Sequence, residues 1–434
     1  MRSHRFAAAV VAAVMLSAPP SALGQDACVE PLGQAQVVRC ALQHSPEVQR
    51  ARLEFAALRG RRVAAGTWLP EHPFVSFSAD QRQLFGSGPD RPQTFNWYFT
   101  ISQELEIAGQ RGARLRRVDA QTEAQVRRLA VTELEVAAQA LRTYFEVVAA
   151  RQVVRLADRV GQVADSLRQL AQEQAAEGLL SALRADLIAA ENIRIGQLRF
   201  AALRAERSST ALLEALLGIQ RPGLLILRDE MSPPFPFPSE FGGGVELLTA
   251  RALMLRGELA AADAERRALL SQLDLIKRER IPNPIFSFFA QRDGFSERVL
   301  GGGVTIPIPL PSPVGPSRSG DITETLARIE QSRADLTLIR RRVQVDVAQA
   351  YVDWSTRAGA LLPYTPELMA RVATGLSGIG EGLASRQLSV TDALIAQRTL
   401  IDLEVSEIEA RRDYALAWVN LMRVAGFDLA GGKP

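Results

Sequence analysis

The sequence predicts a mainly α protein with a small β part, in which one plan of helix, β-hairpin, long helix and helix is used twice. Three observations carry that prediction: a tandem repeat, two pairs of alternating segments, and two long helical stretches that each lead into a heptad-patterned helix. TWLPEHPFVSFSA (67–79) matches RERIPNPIFSFFA (278–290) with one inserted residue, and VAAQALRTYF (136–145) matches DVAQAYVDWS (346–355). Leu180-Ser181 followed by LIA (187–189) recurs as Leu388-Ser389 followed by LIA (394–396). All offsets fall between about 205 and 212, and three matches in one order mark a duplication.

The chain opens on an expected export signal, residues 1–24. Arg2, His4 and Arg5 form a positive start, FAAAVVAAVML (6–16) is an apolar run, and Ala22-Leu23-Gly24 supplies small residues for cleavage before Gln25. A membrane-spanning helix needs about 20 apolar residues, and this run is shorter and followed by Pro19 and Pro20. Removing Arg2 and Arg5 from the 51 basic residues leaves them nearly balanced against 48 acidic ones, which gives no support to nucleic-acid binding. Cys28 and Cys40 survive cleavage. In an oxidising compartment they read as a disulfide fastening the tail to the first helix. Lipidation of Cys28 is the alternative, although Gln25-Asp26-Ala27 lacks the expected Leu-and-small pattern.

The first repeat is expected over 25–219, the second over 245–427, with a Pro- and Gly-rich connection at 220–244 and a tail at 428–434. Each repeat begins with a helix (35–67 and 245–279), closed by Pro70 and Pro282. Strands follow at about 74–83 and 94–105, then about 285–292 and 298–308. Phe95, Trp97, Phe99 and Ile101 alternate with Thr94, Asn96, Tyr98 and Thr100, so one strand face is apolar and the other wet. Long helices are expected over 112–176 and 320–384, the second containing Pro363 and Pro366, and shorter ones over 182–218 and 390–425. Ile188, Ile195, Ala202, Ser209 and Leu216 recur every seven residues, as do Leu394, Ile401, Ile408, Ala415 and Met422, which argues coiled-coil packing.

About ten strand residues at 3.3 Å each, tilted about 40°, reach roughly 25 Å, the height of an outer-membrane apolar band. Four strands cannot close a barrel, and open edges are not tolerated in lipid, so several chains would have to share one. The alternative is a pair of soluble hairpins capping a helical bundle.

The duplicated plan, ALQHSPEVQRARLEFAALRG near the start, LPEHPFVSFS, EGLLS (177–181) and RQLSVTDALIAQ (386–397) resemble the TolC-type outer-membrane factors, closest to the CzcC-like heavy-metal efflux branch. The resemblance covers about 35–427. It implies a homotrimer with a 12-stranded outer-membrane β-barrel continued by a 12-helix periplasmic coiled-coil tunnel. It also implies a periplasmic adaptor (membrane fusion) protein and an inner-membrane RND pump as partners, contact with outer-membrane lipid, and passive conduction of cargo such as heavy-metal cations. Phe95, Trp97, Phe99 and Ile101 become candidates for the lipid face. Adaptor-contacting tips fall on Gly178, Leu179, Leu180 and Ser181, and on Arg386, Gln387, Leu388 and Ser389, where the glycine is missing. Asp392 aligns with an acidic pore-gate position, where three copies would form a carboxylate ring. An acid favoured by the helix dipole is the other reading.

Gly375, Gly378, Gly380 and Gly382 crowd one helix end, whereas LRQLAQEQ (167–174) has no glycine. They read either as a weak segment that flexes when the tunnel opens or as sites of close helix packing. No enzyme is expected, and no cofactor or bound metal. His44 and His72 belong to no H-E-x-x-H or Cys/His cluster, there is no G-x-S-x-G or P-loop, and Gly378-Ile379-Gly380-Glu381-Gly382 follows a helix rather than a strand. Glu104 and Glu106, beside a strand end, are expected to be solvated. The rival reading is a soluble periplasmic coiled-coil adaptor or scaffold without a pore.

Overall fold

The computed structural model describes residues 28, 31–69, 71–82, 94–219, 223, 225–229, 231–232, 244–293, 297–310, 313–315, 317–385 and 387–429. The export signal (1–24) and Arg386 lie outside these residues.

The first repeat comprises α1 (Gln34–His44), α2 (Pro46–Ala65), β1 (Phe74–Arg82), β2 (Thr94–Glu104), α3 (Gln110–Ala176) and α4 (Ala182–Leu216). The second comprises α5 (Val245–Leu255), α6 (Gly257–Arg278), β3 (Ile285–Arg292), β4 (Arg298–Thr305), α7 (Ser319–Leu361), α8 (Pro366–Ala384) and α9 (Val390–Val424). Three expected helices are each two. The first breaks at Ser45, held extended at ψ 130° because Pro46 excludes the helical conformation from the residue before it. Its counterpart breaks at Arg256, ψ 124°, without any proline. There the buried guanidinium donates to Asp346 at 3.0 Å and pairs with Glu258 at 3.1 Å, so side-chain charge holds the bend. The third break lies between α7 and α8, at Pro363 and Pro366. Likewise β4 stops at Thr305, ahead of Pro307 and Pro309, which have no N–H to give a ladder.

α3 is the spine. Its 67 residues, about 100 Å at 1.5 Å per residue, touch α1, α2, α4, α6, α8 and α9. The core concentrates where α3 passes α1 and α9, with Leu141, Tyr144, Phe145, Trp418 and Leu421 fully buried. The inter-repeat connection is tied in here. Leu32 donates its N–H to Ile226 O at 2.8 Å, Arg228 returns one to Leu32 O at 3.0 Å, and the Tyr144 hydroxyl donates to Arg228 O.

The four strands form one antiparallel sheet in the order β1-β2-β3-β4, the hairpins being joined by β2–β3 pairing from Trp97↔Arg292 to Glu104↔Ile285. Within the chain the outer edges of β1 and β4 have no described strand partner. Among the described residues no helix is long and apolar enough to cross a membrane.

Candidate functional site

Register places most of the apolar residues of the four strands on one face, with Phe74, Ile285, Phe289 and Val299 on the other. Phe77 lies beside Phe99, Phe99 beside Ala290, and Ala290 beside Leu300; in the next row Val75, Ile101 and Phe288 follow one another. Because side chains alternate faces, Phe95, Trp97, Phe99 and Ile101 all belong to it. Phe95, Ile101, Phe77, Phe286, Phe288, Leu300 and Val304 are exposed, while Trp97 and Phe99 are half-buried. The opposite face carries Ser76, Ser78, Asp80, Asn96, Tyr98, Thr100, Ser102, Ser287 and Gln291. Asn96 donates to Asp80 across the β1–β2 pair at 3.2 Å. Phe289 interrupts this polar face and lies flat over Gly301, where any Cβ would collide with its ring.

Where sheet meets helices, a polar network replaces the solvated carboxylates expected of Glu104 and Glu106. Glu106 is nearly buried and ion-paired with Arg114. Gln110, at the start of α3, donates to Asn283 at 2.7 Å, and Asn283 donates to Glu104 at 2.8 Å. Arg278 donates to Ala108 O at 2.9 Å. These bonds tie β2, the start of α3 and the approach to β3 to one another. Sequence reading misses Gln110 and Asn283, since neither type signals a buried role; their repeat positions at two strand–helix boundaries are the only cue.

The two helix–helix turns close with the same bonds. Leu179 and Leu180 both donate their N–H to Gln174 O, at 2.9 and 3.1 Å; Gln387 and Leu388 both donate to Gly382 O, at 2.9 and 3.0 Å. In the first turn Gly178 takes φ +74°, the left-handed conformation glycine tolerates at a helix end. Leu179 projects into solvent and Leu180 is buried. Gln387 and Ser389 are exposed and Leu388 half-buried.

Ser389 caps α9, and Asp392 stands in its first turn. The Ser389 hydroxyl accepts the Asp392 N–H at 3.1 Å and donates to the Asp392 carboxylate at 2.6 Å. The exposed Asp392 therefore has the first-turn role open to it from the sequence. The four glycines divide. A Cβ on Gly375 would meet Leu400 at 3.1 Å and one on Gly382 would meet Leu388 at 2.8 Å, whereas Gly378 and Gly380 have nothing within 4 Å. Close packing thus accounts for one pair and not for the other.

Further along α9, Glu404 and Glu407 are buried. Arg159 donates to Glu404 at 3.1 Å, and Arg411 pairs with Glu407. Burial raises the Glu407 pKa above the ordinary carboxylate value against the pull of Arg411, and the neighbouring Glu404 charge pushes the same way as burial. At the other end of the chain, Cys28 and Cys40 are disulfide-linked, their Cα atoms 6.1 Å apart, with His44 Nδ1 3.7 Å from Cys28 Sγ. His72 is exposed. Among the described residues no group of three or more His, Cys, Asp or Glu side chains could hold a metal ion.

Residues 37–216 match the family model described as Outer membrane efflux protein. Protein CyaE of Bordetella pertussis is 25% identical over 368 residues, covering 78% of this chain and 75% of its own. The outer membrane protein VceC from Vibrio cholerae has the same fold, at TM-score 0.68 and 16% identity, over 91% of this chain and 96% of that one. CusC, whose structures concern folding and transmembrane channel formation, aligns at TM-score 0.70 and 12% identity over 91% of this chain and 92% of that one. The first repeat thus matches the Outer membrane efflux protein model, and nine-tenths of the chain shares the fold of VceC and CusC.

Proposed function

We propose that this chain is the exit duct of a tripartite RND-type efflux system, seated in the outer membrane and passively conducting cargo received from a periplasmic adaptor and an inner-membrane pump. The observation that carries this reading is the sheet: one continuous exposed apolar face, one polar face, and two outer edges left open. Lipid offers no water to an open edge, so the sheet has to be completed by other copies. Three copies close a barrel of a size that outer membranes accommodate. The apolar face with Phe95, Trp97, Phe99 and Ile101 then meets lipid, and the face with Asn96, Tyr98 and Thr100 lines the bore.

In this reading the turns at Gly178–Ser181 and 386–389 meet the adaptor, Asp392 from three copies rings the inner opening, and Gly378 and Gly380 lend flexibility to the wall beside it. Heavy-metal cations are the cargo that the CzcC-like resemblance favours. A duct needs no tight ligand cluster, because retention would oppose flow.

Fractionation of the processed protein, followed by sizing in mild detergent and conductance in planar bilayers, tests the proposal. An outer-membrane particle of three chains that conducts is expected. A monomer that stays soluble in the periplasm without detergent would overturn the duct reading in favour of a soluble scaffold.

A further inference from the structure

Between α3, α8 and α9 lies a cavity of about 440 Å³, within the range of small-molecule sites. Leu156, Val160 and Val163 of α3 and Ala373 and Leu376 of α8 make its walls apolar. Gln397 of α9 lines it while being only 1% exposed, and its Nε2 has no hydrogen-bond partner. A buried amide donor left unfilled is costly and uncommon in a folded protein.

The repeat sharpens the anomaly. α4 and α9 are both 35 residues long, begin after Ser181 and Ser389 and close at Gly218 and Gly426, so Gln397 stands where α4 has Ala189, and its amide is particular to the second repeat. The other polar groups around the cavity are occupied. The Ser377 hydroxyl donates to Thr374 O at 2.9 Å, and Arg159 and Glu404 neutralise each other at the rim. What remains is an apolar space with one spare neutral donor in its wall and no net charge.

We propose that this cavity binds a small neutral molecule, mostly apolar, carrying one carbonyl-type acceptor for the Gln397 amide. Such a ligand would join α8 to α3 and α9 at the glycine-bearing stretch of α8, with Gly375 and Gly378 on either side of Leu376. Its chemistry follows from the walls: a charged molecule would lose its hydration without gaining a partner, and a pure hydrocarbon would leave the amide unfilled.

The test uses the full chain in lipid nanodiscs with prodan, a naphthalene ketone whose emission moves to the blue in apolar surroundings. Empty discs supply the partitioning background. The expected result is a saturable blue shift, one probe per chain, that Leu376→Trp abolishes by filling the space. Gln397→Leu should weaken it about fivefold to tenfold while melting no lower than the parent, because it removes an unfilled donor. Ala373→Leu, a milder filling, serves if the tryptophan variant does not fold. A blue shift that never saturates, or that saturates alike in the parent and in Gln397→Leu and a folded filling variant, overturns the proposal.

Discussion

α3 and the pair α7–α8 descend from one plan, yet they are built differently. α3 runs unbroken for 67 residues with helices around much of its length, whereas α7 ends at Leu361 and α8 begins at Pro366 after a proline-bounded bend. Over the matched segments, Tyr144 and Phe145 of α3 are fully buried; Trp354 and Ser355, their counterparts in α7, are half-buried and exposed. Leu326, Leu338, Val345 and Val352 stand exposed along α7. Duplication therefore preserves the path of the chain and not the environment of each copy. The first long helix organises the chain from within, and the second forms its margin. Replacing the two aromatics tests this most strongly. Tyr144→Ala should cost about 3–5 kcal/mol, through the cavity and the lost bond to Arg228 O, and Trp354→Ala in the monomeric chain less than half as much. Denaturant midpoints of the two variants, compared in detergent under dissociating conditions, check the ratio. Equal losses would mean that α7 is as much a core element as α3.

The glycines of α8 sharpen the same contrast, since the aligned stretch of α3 has none. Gly378→Ala and Gly380→Ala place a methyl in open space and should each raise stability by up to about 1 kcal/mol. Gly382→Ala should lower it, because the new Cβ meets Leu388 and the Gly382 carbonyl holds the following turn. If flexibility here serves opening, Gly378→Ala and Gly380→Ala together reduce efflux and single-channel conductance while raising the melting temperature. Unchanged efflux and conductance in that double variant would sink the hinge reading.

Much of this architecture was legible because it is periodic. Alternation fixes the faces of β2, and the heptads of α4 and α9 fall on buried positions such as Ile195, Ala202, Ile401 and Ile408. None of the three helix breaks was anticipated: Pro46, Pro363 and Pro366 lie inside stretches expected to be continuous, because the flanking helical patterns argue for continuity. The break at Arg256 rests on ion pairs to Asp346 and Glu258, of which Asp346 is 90 residues away and joined only by the fold. The Gln110–Asn283–Glu104 network was invisible for the same reason: its members are 179 residues apart at the extremes. A turn without its glycine was a departure in sequence, yet the bonds to Gln174 O and Gly382 O are alike, since backbone geometry depends on more than one residue.

The helix starts after those two turns differ by one side-chain bond. Ser389 accepts the Asp392 N–H, whereas Ser181 makes no capping bond from its side chain. Ser389→Ala should therefore cost about 1 kcal/mol and Ser181→Ala only a few tenths. Hydrogen exchange at the first turns of α9 and α4 reads this directly, with faster exchange expected at 390–393 in the first variant and little change at 182–185 in the second. Asp392→Asn separates capping from the gate: asparagine retains much of the first-turn bonding, so a change in cation selectivity without a change in exchange would support the carboxylate ring.

The smallest expected effect concerns the buried acids of α9. Glu407 has a raised pKa chiefly because burial disfavours its charge, with Glu404 adding to the rise and Arg411 opposing it. An acid whose folded pKa lies above its unfolded value is held in an unfavourable charged form at neutral pH. That cost is relieved as pH falls through the folded pKa and is fully gone below the unfolded one, near 4.5. Glu47 and Asp274 work in the opposite sense, their pKa values lowered first by hydrogen bonds from Ser45 and Arg116, so their contribution is lost on acidification. Glu407→Gln removes the first effect alone. The variant should melt slightly higher than the parent at pH 7, and the difference should shrink steadily between pH 7 and about pH 4.5. Counted from the caps Ser181 and Ser389, the corresponding site of α4 is Arg199, so the acid is a feature of the second repeat. A variant that melts lower than the parent at pH 7 would show that the pairing with Arg411, four residues on in the same helix, outweighs the burial of Glu407, and that charge as well as packing stabilises α9.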